Sequence, residues 1–217
     1  MKTSVAKKDL AELSSDDSRV KYGRAKSLVA IARERPGRLY PHLNLFISLL
    51  NGENNILRWT AIDIIGHLSR VDKEKQIDQL LGRFYGFLSG GKLITANHAI
   101  SALAHVALTK PEYQKRITRE LLKTEHNTYE TDECRNIVLG KVIQALGLFC
   151  NDMSLDGQVV QFIRRQTKNS RSATRKKAGK LLAGVLSRHK RKEHQGPASS
   201  TLRVKNVSSH IISEGTT

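Results

Sequence analysis

The sequence predicts an all-α chain of stacked helical hairpins, and three observations carry that prediction. The first is the stretch 54–70, NNILRWTAIDIIGHLSR. Here Ile56, Leu57, Ala61, Ile64, Ile65 and Leu68 recur at three- and four-residue steps, giving a helix of about four turns one wide apolar face. The second is the return of its large-then-small pair. Val29-Ala30, Ile65-Gly66, Leu103-Ala104, Leu146-Gly147 and Leu182-Ala183 follow one another at spacings of 36, 38, 43 and 36 residues. A period in that range marks helix pairs that bury their apolar sides on one another. The third is the pair of columns flanking this phrase: Ala25, Ala61, Ala99, Val142 and Ala178 before it, and Ala32, Leu68, Val106, Phe149 and Val185 after it. Small residues at two levels of an inner face let a neighbouring helix come close, and the larger ones fill the space left.

Taken in order, 4–13 is a short, weakly apolar helix able to cap the stack. Ser14-Ser15-Asp16-Asp17-Ser18 offers N-caps to a helix over 19–34, which Pro36-Gly37 stops. The next helix, 38–50, carries Leu39, Leu43, Phe46, Ile47 and Leu50 on one side and ends at Asn51-Gly52. After 54–70 comes 73–88, broken by Ser89-Gly90-Gly91, and then 94–108, which repeats the phrase. Pro111 suits the first turn of 112–124. The polar loop 125–130 accounts for part of the 43-residue spacing and precedes the longest helix, 131–150, capped from Thr131. The segments 157–167 and 170–188 form the last pair. These group as about five pairs, 4–34, 38–70, 73–108, 111–150 and 157–188, in one domain over 1–188. From 189 to 217 the composition turns to Lys, Arg, Gly, Pro and Ser, which predicts a disordered basic tail. Within it Val204, Val207, Ile211 and Ile212 offer at most a short strand or docking segment.

Net charge narrows the classes of partner. It is +17, and twelve of those units lie between 157 and 192, where no Asp or Glu interrupts them. Such one-sided charge attracts polyanions and repels copies of the chain, so a monomer is expected. No apolar run approaches the roughly 20 residues of a membrane span, and the first residues lack the apolar block of a secretory signal. Cys134 and Cys150 fall in one expected helical segment and read as packing thiols of a reducing, cytoplasmic setting.

No catalytic or cofactor signature stands out. Gly90-Gly91-Lys92 and the glycines at 82 and 86 lack the strand that a phosphate loop follows, and the eight His form no metal spacing with the two Cys. His67 and His105 occupy equivalent columns in adjacent pairs, as a metal- or proton-binding pair or as two polar rim residues. Trp59, beside Arg58, is the single Trp and is either a stacking platform or a packed side chain.

Residues 39–71, with Leu57-Arg58, Ala61 and Ile65-Gly66, resemble a HEAT repeat, and Arg175, Ala178 and Leu182-Ala183 match the same pattern in the last pair. The other pairs depart from it, with Tyr22, Ala96 and Leu139 where the Arg stands. The resemblance implies a right-handed α-superhelix, or solenoid, whose second helices line a concave face. It implies a non-enzymatic scaffold or adaptor without cofactor or metal, holding a protein partner with an acidic or extended segment. The alternative is a nucleic-acid binder contacting phosphates through the basic last pair. That alternative extends to the HEAT-fold DNA alkylation-repair glycosylases, though no catalytic acid can be carried over and Asp63 reads by default as an exposed helix carboxylate. For either reading the candidate contacts are Arg58, Trp59, Arg171, Arg175, Lys176, Lys177, Lys180, Arg188, Lys190, Arg191 and Lys192.

Overall fold

The computed structural model describes residues 7–150 and 157–194, with the side chains of all of these except 7, 186 and 188–194. Among the described residues every regular element is helical and there is no strand. The α-helices are α1 (Lys7–Ala11), α2 (Ser18–Glu34), α3 (Leu43–Leu49), α4 (Asn55–Leu68), α5 (Leu81–Ser89), α6 (Leu93–Thr109), α7 (Gln114–Lys123), α8 (Asp132–Phe149), α9 (Gly157–Gln166) and α10 (Ser172–His194). None is long and apolar enough to cross a membrane.

Three of the even-numbered helices, α2, α4 and α8, begin on side-chain caps. The Asp17 carboxylate accepts from the Arg19 N–H at 2.8 Å, the Asn54 side chain from Leu57 N–H at 3.1 Å, and the Thr131 hydroxyl from Cys134 N–H at 3.1 Å. The odd-numbered helices are shorter than their apolar patterns predict. The expected helix over 38–50 is divided into 3-10 turns at Pro36–Arg38 and Tyr40–His42 before α3, because Pro41 has no N–H to donate. The expected helix over 73–88 begins only at Leu81. The Asp72 carboxylate takes the N–H groups of Gln76 and Ile77, both at 3.0 Å, and Lys75 turns through a left-handed φ of 57°. At the other end α10 continues to His194, past the boundary expected at 188, since Lys and Arg are good helix formers and no breaker precedes Gly196-Pro197.

From α3 onward each odd helix packs on the even helix that follows it, and the even helices also pack on one another in the order α2, α4, α6, α8, α10. Both flanking columns of the repeated phrase are buried throughout, from Ala25 and Ala32 to Ala178 and Val185. The closest approach is at Gly66, where an added Cβ would stand 2.6 Å from the Ala102 Cα, so α4 and α6 touch backbone to backbone. The phrase slips in α8. Val29, Ile65, Leu103 and Leu182 stand ten or eleven residues into their helices, but Leu146 stands fourteen in, about one turn too far. Gly140, outside the aligned pair, makes the tightest contact of α8 with α10: an added Cβ would lie 2.7 Å from the Thr174 hydroxyl.

Candidate functional site

Much of the polar chemistry of the even helices is spent on joining helix to helix. Trp59 donates its indole N–H to Thr95 at 2.9 Å and stacks on His98 with planes 4° apart and centroids 5.7 Å apart. The Asp63 carboxylate pairs with His98 Nδ1 at 2.8 Å. His67 and His105 meet across α4 and α6 with ring centroids 4.2 Å apart. Asn136 donates to Ser170 at 2.8 Å, and its backbone carbonyl accepts from Thr174 at 2.8 Å.

Two of the expected contact residues prove to be clasps. The Arg58 guanidinium donates to the Gly52 carbonyl at 2.6 Å and to Asn55 at 2.8 Å, holding the turn that leads into α4. Arg175 does the same for α10, donating to the carbonyls of Asn169 at 2.8 Å and Ser170 at 2.6 Å. Arg171 is paired with Glu133 at 2.7 Å, and Trp59 has one face covered by His98. The candidate contacts at 58, 171 and 175 are therefore already engaged within the fold, and of the two readings of Trp59 the packed one describes its indole N–H and one of its faces.

Lys176, Lys177 and Lys180 have no ion pair among the described residues. Lys176 and Lys180 are exposed. Lys177 is half-buried, and its ammonium is held below the ordinary lysine value by burial and by the neighbouring charges of Arg171 and Lys141. Lys141, Lys177 and Lys180 line a groove between α8 and α10 of about 730 Å³, together with Leu148, Leu181, Gly147 and Gly184. Sequence reasoning put Lys141 on the inner surface without ranking it, and it missed Leu148, a side chain left 56 % exposed. The signal was present: Leu148 falls outside the buried columns, where apolar residues are not needed. Arg188, Lys190, Arg191 and Lys192 belong to the last turns of α10, and their side chains lie outside the described residues. The disordered tail and the short strand expected near Val204 also fall outside them.

The remaining titratable clusters are structural in geometry. Burial and the His105 ring push His67 down to about 4 against the pull of Asp63, with Arg70 and Arg33 adding to the depression. His105 is lowered by burial too, with Asp63 opposing it and Arg70 and Lys141 reinforcing it. Lys110 is buried beneath the second and third pairs, where it is bonded to Asp72 at 2.7 Å and to Asp78, while Tyr40 donates to Asp72 at 2.7 Å. Neither Cys134 nor Cys150 is in a disulfide, and no three metal-ligating side chains converge among the described residues.

No family model and no curated protein matches the chain. Among solved structures it is similar to the crystal structure of an engineered protein, 16% identical over 83% of this chain and 96% of that one, with a TM-score of 0.45.

Proposed function

We propose that the chain is a non-enzymatic adaptor of HEAT type, a cytoplasmic monomer whose helix pairs coil into a right-handed superhelix. It holds an acidic protein segment against the face built by α2, α4, α6, α8 and α10. The observation that carries this reading is the α8–α10 groove, in which three lysines without ion pairs among the described residues stand beside two leucines. Clustered like charges raise one another's energy until a counter-charge arrives, so the groove favours an anionic occupant. Exposed leucine adds nothing to phosphate binding, whereas it takes up an apolar side chain from a protein segment. Trp59, the natural platform for a base, already has a stacking partner and a hydrogen-bond acceptor.

A second reading, phosphate-backbone binding, is favoured by one observation: Lys176 and Lys180 are exposed one turn apart on α10. Its glycosylase branch has less support, because Asp63 is tied to His98. Fluorescence polarisation with an acidic peptide and with duplex and single-stranded oligonucleotides, each at two salt concentrations, separates the two. The adaptor reading expects peptide binding in which salt alters the association rate more than the affinity, weakened by reversing the charge of Lys177 and Lys180. Oligonucleotide binding with a log–log salt slope of about −4 to −5, and none of the peptide, would give the site to nucleic acid instead.

A further inference from the structure

We infer that the α8–α10 groove reads a two-part signal: a carboxylate at one end and, about three residues of extended chain away, a leucine-sized side chain at the other. The inference rests on the adaptor reading and specifies its partner. The two helices run parallel and in register, since Gly140 faces Thr174 and Gly147 faces Leu181, the same separation each time. Their lining residues therefore change character together along the groove. Lys141 and Lys177 stand at the N-terminal end, with Lys180 beside them, and Leu148 and Gly184 stand seven residues further on in each helix. Seven residues of helix span roughly 10 Å, which three residues of extended chain cover at roughly 3.3 Å each.

Among the described residues the apolar end is open. Leu148 is 56 % exposed, and an added Cβ on Gly184 would meet nothing within 4 Å. On the floor, Leu181 packs against Gly147, whose added Cβ would lie 3.4 Å from the Leu181 side chain. Charge chooses the acidic end of the partner, the vacant space over Leu181 accepts the aliphatic end, and the distance between them sets the spacing. A partner helix would need the two groups about seven residues apart to span the same roughly 10 Å, so spacing distinguishes an extended occupant from a helical one.

Labelled peptides on a Gly/Ser background test this with the full chain. One carries Glu-Glu-Ser-Thr-Leu, one carries the reversed order, two have Leu replaced by Ser, and one separates Glu and Leu by seven residues. The better of the two Leu orders should bind about tenfold more tightly than its Ser counterpart, the effect of burying one aliphatic side chain. Gly184→Leu fills the socket and should bring the Leu peptide down to the Ser peptide's affinity while leaving the Ser peptide unchanged. The substitution should not harm the fold, because it replaces a helix-interior Gly with a better helix former. Leu148→Ser, at an exposed position, provides a second variant with the same expected loss. Leu and Ser peptides within twofold of each other, or strongest binding by the seven-residue spacing, would overturn the inference. Failure of every acidic peptide to bind above a neutral Gly/Ser control would instead overturn the adaptor reading itself.

Discussion

Arg58 and Arg175 occupy the same place in their pairs and do the same work, tying the turn before an even helix to that helix's first two turns. Removing Arg58 leaves the Gly52 carbonyl without its charged donor, so Arg58→Ala should cost about 1 kcal/mol in a urea titration. A binding defect with no loss of stability would instead make Arg58 a contact residue. At Gly66 the crowding against Ala102 outweighs the better helix propensity of alanine, and Gly66→Ala should lose about 1–2 kcal/mol by the same measurement. The histidine pair gives a pH dependence whose sign is fixed by burial. His67 has a folded value of about 4 against an unfolded 6.5, so the unfolded chain takes up the proton first. Above 6.5 neither form is protonated and nothing is lost; stability falls as pH drops from 6.5 towards 4. The loss is on the order of 2 kcal/mol, after discounting the shift for the half-exposed ring. His67→Gln should flatten the unfolding free energy across that window.

The odd helices show how a local pattern yields to a polar network. Their apolar spacing predicts full-length helices over 38–50 and 73–88, yet Pro41 interrupts the first and the Asp72 carboxylate gathers the chain into a turn at the start of the second. Burial pushes the Asp72 carboxyl up, but the bonds from Lys110, Tyr40 and the Ile77 N–H more than offset this and hold it below its usual value. For Lys110 burial works downward, and its bonds to Asp72 and Asp78 reverse the effect, leaving it raised. The depressed carboxyl gives stability that is present above its unfolded value of 3.8 and lost as pH falls through the lower folded one. The raised ammonium gives stability that is present below 10.5 and lost as pH rises through the higher folded one. Breaking the network on one side leaves a buried charge alone, so Lys110→Met should cost about 3–5 kcal/mol by thermal or urea unfolding. The double change Lys110→Met with Asp72→Asn should recover part of that loss.

At the scale of the whole molecule the excess positive charge is concentrated in the last pair, and where its α10 meets α8 of the pair before, Lys141, Lys177 and Lys180 stand without ion pairs among the described residues. Like-charge repulsion there should be relieved by salt. Raising the salt concentration should increase the melting temperature of the native chain more than that of a Lys177→Glu, Lys180→Glu variant. Equal salt shifts in the two proteins would mean that the cluster carries no strain. By itself the sequence determined the helical class, the approximate positions of the even helices and most of the residues those helices bury, Ile56 being an exception at 43 % exposed. Each of these follows from near-neighbour periodicity, from caps such as Asp17 and Thr131, and from breakers, all of which act within a few residues along the chain. Only the tertiary structure decided that Arg58, Arg171 and Arg175 are engaged, that Trp59 lies against His98, and that Gly140 rather than the aligned Gly147 makes the tightest contact with α10. It also decided that Leu148 stands exposed beside three lysines. The physical reason is that the fate of a polar side chain depends on what the neighbouring helix sets opposite it. That partner is either a turn carbonyl fixed by the local backbone path or a residue more than thirty positions away, and a periodic pattern contains neither.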